Sequence, residues 1–202
     1  PELTGTADGS KLVLALRDIS DDRAAQAAFR KVVAGPVVVH TSTDPFLDWD
    51  ALRRADRLRS LAELDPRTGE ARVLLPPAKL TDYQLSRDGS FITFREDVTE
   101  KTDYDVISGT NNHLKIVRSG GTSTLLDAKT LKTSNPRWSD DGSVFAYADK
   151  GEVFVQSVND AKPRSLTPKP ANSSEKPLAS EETESFSTGP FSRDNTRLVL
   201  TS

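Results

Sequence analysis

The chain has no cysteine and no methionine among its 202 residues. Without cysteine there is no disulfide, no thiolate metal site and no cysteine nucleophile. Such a composition suits cytoplasm, periplasm or exterior equally, so the compartment stays open. No apolar run approaches the roughly 18–20 residues that cross a bilayer, and no membrane span is expected. Neither sign of charge dominates: 27 basic and 30 acidic side chains give a net charge of −3. No global field therefore selects nucleic acid or an anionic membrane. Aromatics interleaved with basic residues, as a single-strand platform needs, are missing too. The start lacks both an initiator Met and a basic-then-apolar leader, which reads as a fragment or a trimmed form. Hydrophobic residues make up only 35%, low for a domain yet above a fully disordered chain.

What is there is a repeat. "TDYQLSRDGSFITFRED" from Thr81, "NPRWSDDGSVFAYADKGEVFVQSV" from Asn135 and "STGPFSRDNTRLVLTS" from Ser187 share one pattern. A shorter copy, "TGTADGSKLVLAL", begins at Thr4. Asp88, Asp141 and Asp194 lie 53 residues apart, while Asp8 precedes Asp88 by 80. A fixed period of this size in a strand-rich chain points to propeller blades. The expected fold is all-β, a partial β-propeller of about three and a half four-stranded antiparallel blades with one inserted helix. The blade units run about 1–80, 81–133, 134–186 and 187–202, with a helical insertion at about 20–49. In the third unit the strands fall at Pro136–Trp138, Val144–Ala148, Val153–Ser157 and Pro163–Leu166. Asp-Gly supplies the turn between the first two strands, because Gly accepts a positive φ; Asn195 stands in that place in the last unit. An ordinary β-sandwich with turn-rich hairpins is the alternative.

The first unit is opened by "SDDRAAQAAFRKVVAG", where Ser20 as N-cap, early acidic residues and Gly35 predict a helix over Asp21–Val33. "PVVVHTSTDPFLDW" then reads as an extra strand and a loop, and "DALRRADRLRSLAEL" passes from a basic stretch into the third strand. The stretch from Thr167 to Ser185, rich in Pro, Ser and Glu, reads as a surface or disordered loop.

These motifs resemble the β-propeller of prolyl oligopeptidase-type serine peptidases, including dipeptidyl and acylaminoacyl peptidase-like proteins. "PRWSDDGSVFAYADKGEVFVQSV" is similar to the Trp-Ser-x-Asp-Gly blade repeat shared with TolB-like propellers. Val37–Pro76 is similar to a segment of a bacterial subgroup of those peptidases, without its tryptophan-rich start. The resemblance implies a propeller that sits over an α/β-hydrolase domain and filters peptide substrates. The hydrolase domain of the parent chain and the peptide substrate are thus the implied partners. No nucleophile elbow is present: "SGGTST" at Ser119–Thr124 lacks the second glycine. No catalytic residue, metal ligand or cofactor is assigned. The rival implication is a TolB-like binding module for a protein or polymer, with no hydrolase attached.

His40 and His113 are the only histidines, without ligand spacing between them. The acidic run Phe94–Asp105 lacks the Gly and alternation of a calcium loop and reads as a solvated edge. Arg53 and Arg54, with Arg57 and Arg59, offer guanidinium forks for phosphate or carboxylate. Asp50 and Asp56 between them favour intramolecular ion pairs. Trp138 and Phe191 read as core between blades. Phe46 and Trp49, in the insertion, resist assignment to core. Phe46, Trp49, Arg53 and Arg54 are therefore the candidate contacts to a partner or substrate. Open blade edges, with Leu12 and Leu14 at one end and Leu198 and Leu200 at the other, predict self-association.

Overall fold

Turn dipeptides and alternating apolar residues divide the chain into short antiparallel strands. The computed structural model describes residues 2–6, 8–36, 41, 43–107, 109–160, 162–167 and 186–201. It falls into two units, Pro1–Ala128 and Lys129–Ser202.

The first unit is a run of seven strands hydrogen-bonded in chain order: β1 (Glu2–Gly5), β2 (Leu12–Leu16), β3 (Leu58–Leu64), β4 (Ala71–Leu85), β5 (Ile92–Asp97), β6 (Asn112–Arg118) and β7 (Gly121–Leu126). Strand β4 serves two meanders. Its first part, through Lys79, pairs with β3, and Leu80–Leu85 pairs with β5. Pro76 and Pro77 fall where the β3–β4 register shifts, between the pairs Leu61↔Leu75 and Arg59↔Ala78. Proline has no N–H to donate, and a bulge is where a strand tolerates it. The result is two four-stranded antiparallel sheets joined by one long strand, the connectivity of successive blades. Val13, Ala15, Leu61, Leu75, Leu80, Ile92, Phe94 and Val117 form a single core drawn from both meanders. Ile92, Thr93 and Phe94 are consecutive and all buried, as a strand covered on both faces requires.

In the second unit, β8 (Arg137–Trp138), β9 (Val144–Asp149), β10 (Glu152–Ser157) and β11 (Arg164–Ser165) make another four-stranded antiparallel meander. The β9–β10 hairpin turns at Lys150 (φ 51°) and Gly151 (φ 80°), the double positive φ of a two-residue hairpin loop. Ring pairs run Trp138–Phe145–Tyr147–Phe154, with centroids 4.8, 6.0 and 5.4 Å apart. A hairpin of β12 (Ser187–Phe191) and β13 (Leu198–Thr201) follows, with β12 against β8 and β9. The described residues thus form a partial β-propeller of four-stranded antiparallel meanders, followed by the β12–β13 hairpin.

One turn recurs four times. Ser86 Oγ donates to Asp88 Oδ1 at 2.8 Å, Ser90 N and Oγ donate to the same oxygen, and Phe91 N donates back to Ser86 Oγ. Ser139, Asp141, Ser143 and Val144 repeat this arrangement. Thr6, Asp8, Ser10 and Lys11 repeat it again, with threonine in the first place. In the fourth copy Ser192 Oγ and Thr196 N bond Asp194, and Arg197 N bonds Ser192 Oγ. Gly9, Gly89, Gly142 and Asn195 occupy the same place at φ 69°, 69°, 73° and 59°.

Among the described residues three helices accompany the strands, where the sequence predicts one. Helix α1 spans Ile19–Val33, and its N-cap is Asp18, whose carboxylate accepts from Ser20 N. The predicted cap, Ser20, is therefore inside the first turn, and the helix starts two residues earlier. Helix α2 spans Asp48–Asp56, over the start of the basic stretch that leads into the third strand. Helix α3 spans Ala128–Thr133. His40, most of the expected extra strand at 37–40 and the segment 168–185 lie outside the described residues. His113 stands in β6, paired with Glu96 of β5.

Candidate functional site

The α1–α2 insertion joins β2 to β3, and the loop 98–111 joins β5 to β6. In both meanders this is the connection between second and third strands. An antiparallel sheet places such connections at the end opposite the Ser-x-Asp-Gly turns. The insertion and the loop therefore meet.

Their junction is a buried ionic cluster. Asp50 and Arg54 stand one helical turn apart on α2, so they share a face, and both are almost fully buried. Arg54 bonds Asp50 at 3.2 Å, Asp97 at 2.5 Å and the Gly109 carbonyl at 3.1 Å. Arg57 reaches the same Asp97 oxygen at 2.8 Å. The other Asp97 oxygen accepts Thr99 N at 3.0 Å and Thr99 Oγ1 at 2.5 Å. Asp50 also accepts from Thr102 Oγ1 at 2.8 Å, and that hydroxyl receives Leu47 N at the head of α2. Burial alone would raise the Asp97 pKa. The Thr99 hydroxyl and amide, with the Arg54 charge and the Arg57 hydrogen bond, outweigh it and hold the carboxyl below its usual range.

Asp97 lies in the acidic run that the sequence reads as a solvated edge. The structure corrects that reading for this residue, whose side chain is fully covered. The arginine-to-carboxylate pairs expected inside the chain are present, but several reach beyond the helix: Asp56 pairs with Arg17 of the β2–α1 junction rather than with a neighbour on α2.

The four candidate contact residues occupy different surroundings. Arg54 belongs to the interior cluster, with its guanidinium 4.8 Å from the Phe46 ring. Phe46 is half-buried, and Lys79 approaches the same ring at 6.0 Å. Arg53 bonds Asp50 and the Ile107 carbonyl, both through Nη2 and both at 3.1 Å. Trp49 is 50% exposed and meets Phe29 of α1 edge-on, with ring centroids 5.6 Å apart at 76°. Phe29 is 47% exposed. An open groove of about 700 Å³ lies along this aromatic pair, walled by Arg17, Arg30, Arg53 and Arg57 among others. Phe29, Arg17 and Arg30 escaped the sequence reading. Phe29 and Arg30 sit in a helix with no buried residue, so no periodic apolar stripe marks them.

Among the described residues no group of three or more His, Cys, Asp or Glu is placed to hold a metal ion. Among the described residues no serine of the repeated turns has a histidine partner; their hydroxyls bond aspartate and backbone.

No family model matches the chain, and no curated protein matches it. Among solved structures it is similar to a prolyl endopeptidase, from work on two such enzymes concerned with inter-domain dynamics in catalysis and specificity. The match has 16% identity and a TM-score of 0.41. It covers 71% of this chain and 22% of that one, so the chain spans about a fifth of its length.

Proposed function

We propose that the chain is a non-catalytic propeller segment of a prolyl oligopeptidase-type serine peptidase, which packs on the hydrolase domain and gates substrate access to it. The observation that carries this reading is the repeated blade. Four-stranded meanders recur with one hydrogen-bonded Ser/Thr-x-Asp turn, and the Trp-Ser-x-Asp-Gly form of that turn at Trp138–Gly142 is the form the resemblance rests on. Hydrolytic chemistry then belongs to the hydrolase domain, since an activated nucleophile needs a base within hydrogen-bond reach.

A second reading, a binding module with no hydrolase, is favoured by the half-exposed Phe29–Trp49 pair. Fluorophosphonate labelling separates the two. The protein translated from the whole reading frame is labelled at one serine under the first reading, and the isolated 202-residue chain is not. Absence of labelling in both leaves the binding module. Labelling of a serine in this chain, abolished by one Ser→Ala change, overturns both.

A further inference from the structure

We infer that the groove beside Phe29 and Trp49 is a binding site for a peptide end that presents an aromatic side chain next to a free carboxylate. The inference does not depend on the peptidase reading.

The charges of the groove decide the sign of its ligand. Two carboxylates line it, Asp22 and Asp56. Both face Arg17, whose Nη1 lies 2.5 Å from Asp56 and 3.6 Å from Asp22. Arg57 is held by Asp97. Arg53 uses only Nη2, for Asp50 and the Ile107 carbonyl, which leaves its Nη1 and Nε without a partner among the described residues. Arg30 has neither hydrogen bond nor ion pair among them. Arg30 thus keeps its whole guanidinium fork at the rim, and Arg53, paired with Asp50 through Nη2, keeps two further donors there. Such forks match a carboxylate in shape and charge.

The aromatic half of the site lines the same groove as those arginines. Arg30 follows Phe29 directly, and Arg53 stands one helical turn from Trp49 on the same face of α2. Both residues of the edge-to-face pair are about half exposed, an arrangement against which a third ring packs at its preferred angles. An aromatic group and a carboxylate separated by two carbon atoms are what the last residue of a peptide ending in phenylalanine carries. A purely apolar ligand would leave the forks unmatched, and a bare anion would leave the rings open.

The test uses the ¹⁵N-labelled whole chain, which has two tryptophans and hence two indole N–H signals. N-acetyl-phenylalanine, with its free carboxylate, is titrated against N-acetyl-phenylalanine amide, which has the same ring without the charge. The expected result is a shift confined to the Trp49 indole, with the carboxylate binding about tenfold more tightly than the amide. Arg30→Gln and Arg53→Gln should each shrink that ratio, and an unchanged amide fingerprint shows that the variant is folded. Inorganic phosphate should compete only weakly. Equal affinity for acid and amide overturns the proposal, as does an equal shift of Trp138 or no shift of Trp49. Phosphate binding as tight as the peptide acid also overturns it, since a plain anion site would then account for the groove. The acid–amide comparison on the unmodified chain decides the matter even if both variants misfold.

Discussion

At Gly89 a Cβ would lie 2.6 Å from Thr6 Cγ2, so the turn of one meander presses on the turn of the one before it. Gly142 has the same left-handed φ but nothing within 4 Å. Gly142→Ala therefore incurs only the conformational cost, about 1–2 kcal/mol. Gly89→Ala adds a steric one, and its denaturant midpoint should fall below that of Gly142→Ala. Equal midpoints would mean that the two turns do not touch as described. The aspartates of these turns give a second expectation. The Thr6 hydroxyl, then the Ser10 amide and hydroxyl, hold Asp8 down to about 2. The Ser90 amide and hydroxyl lower Asp88, the Ser143 amide and Ser139 hydroxyl lower Asp141, and the Ser192 hydroxyl lowers Asp194. A carboxyl depressed in the fold stabilises it fully above its unfolded pKa of about 4 and loses that contribution as pH falls through the folded value. Urea midpoints should be insensitive to these groups above about pH 5 and decline below about pH 4. A midpoint at pH 3 equal to that at pH 7 would contradict the hydrogen-bonded turns.

Helix α2 is held by charge rather than by an apolar stripe. Removing Asp97 leaves Arg54 buried with only Asp50 as a carboxylate partner among the described residues and strips Thr99 of its acceptor. Asp97→Ala should cost about 3–5 kcal/mol in urea unfolding, the usual loss when one member of a buried ion pair is removed. Arg67→Ala, which breaks an exposed pair with Asp65, should change stability by less than about 1 kcal/mol. Similar losses for both would show that the cluster is solvated. The same cluster explains which elements were legible beforehand. Strands and turns follow from local signals, the alternation in Val144–Asp149 and the Asp-Gly pairs, and the third-unit strands fall within two residues of where they were expected. Helix α1 also carries local signals, though the residue that caps it is Asp18 rather than the expected Ser20. Helix α2 has Leu47 at its N-cap with no side-chain bond, so its start is held by Thr102 and its last turn by Asp97, both about forty to fifty-five residues away in sequence. No local pattern announces that. The same distance hid Asp97 as a site residue among its acidic neighbours.

At the scale of the molecule, strands β1 and β13 each pair on one side only. Leu3, Val199 and Leu200 are exposed there, while Leu12, Leu14 and Leu198 are half-buried. Open strand edges with apolar side chains favour association, and light scattering on the isolated chain should report a mass that rises with concentration. A constant monomer mass at high concentration would mean that those edges are already satisfied. The proposed gating role is tested most directly by kcat/KM across a series of peptides of increasing length, measured on the protein translated from the whole reading frame. The account predicts efficient cleavage of short peptides and a steep loss once the substrate is too large to pass the propeller. A profile flat in length, or no cleavage of any peptide, would contradict it.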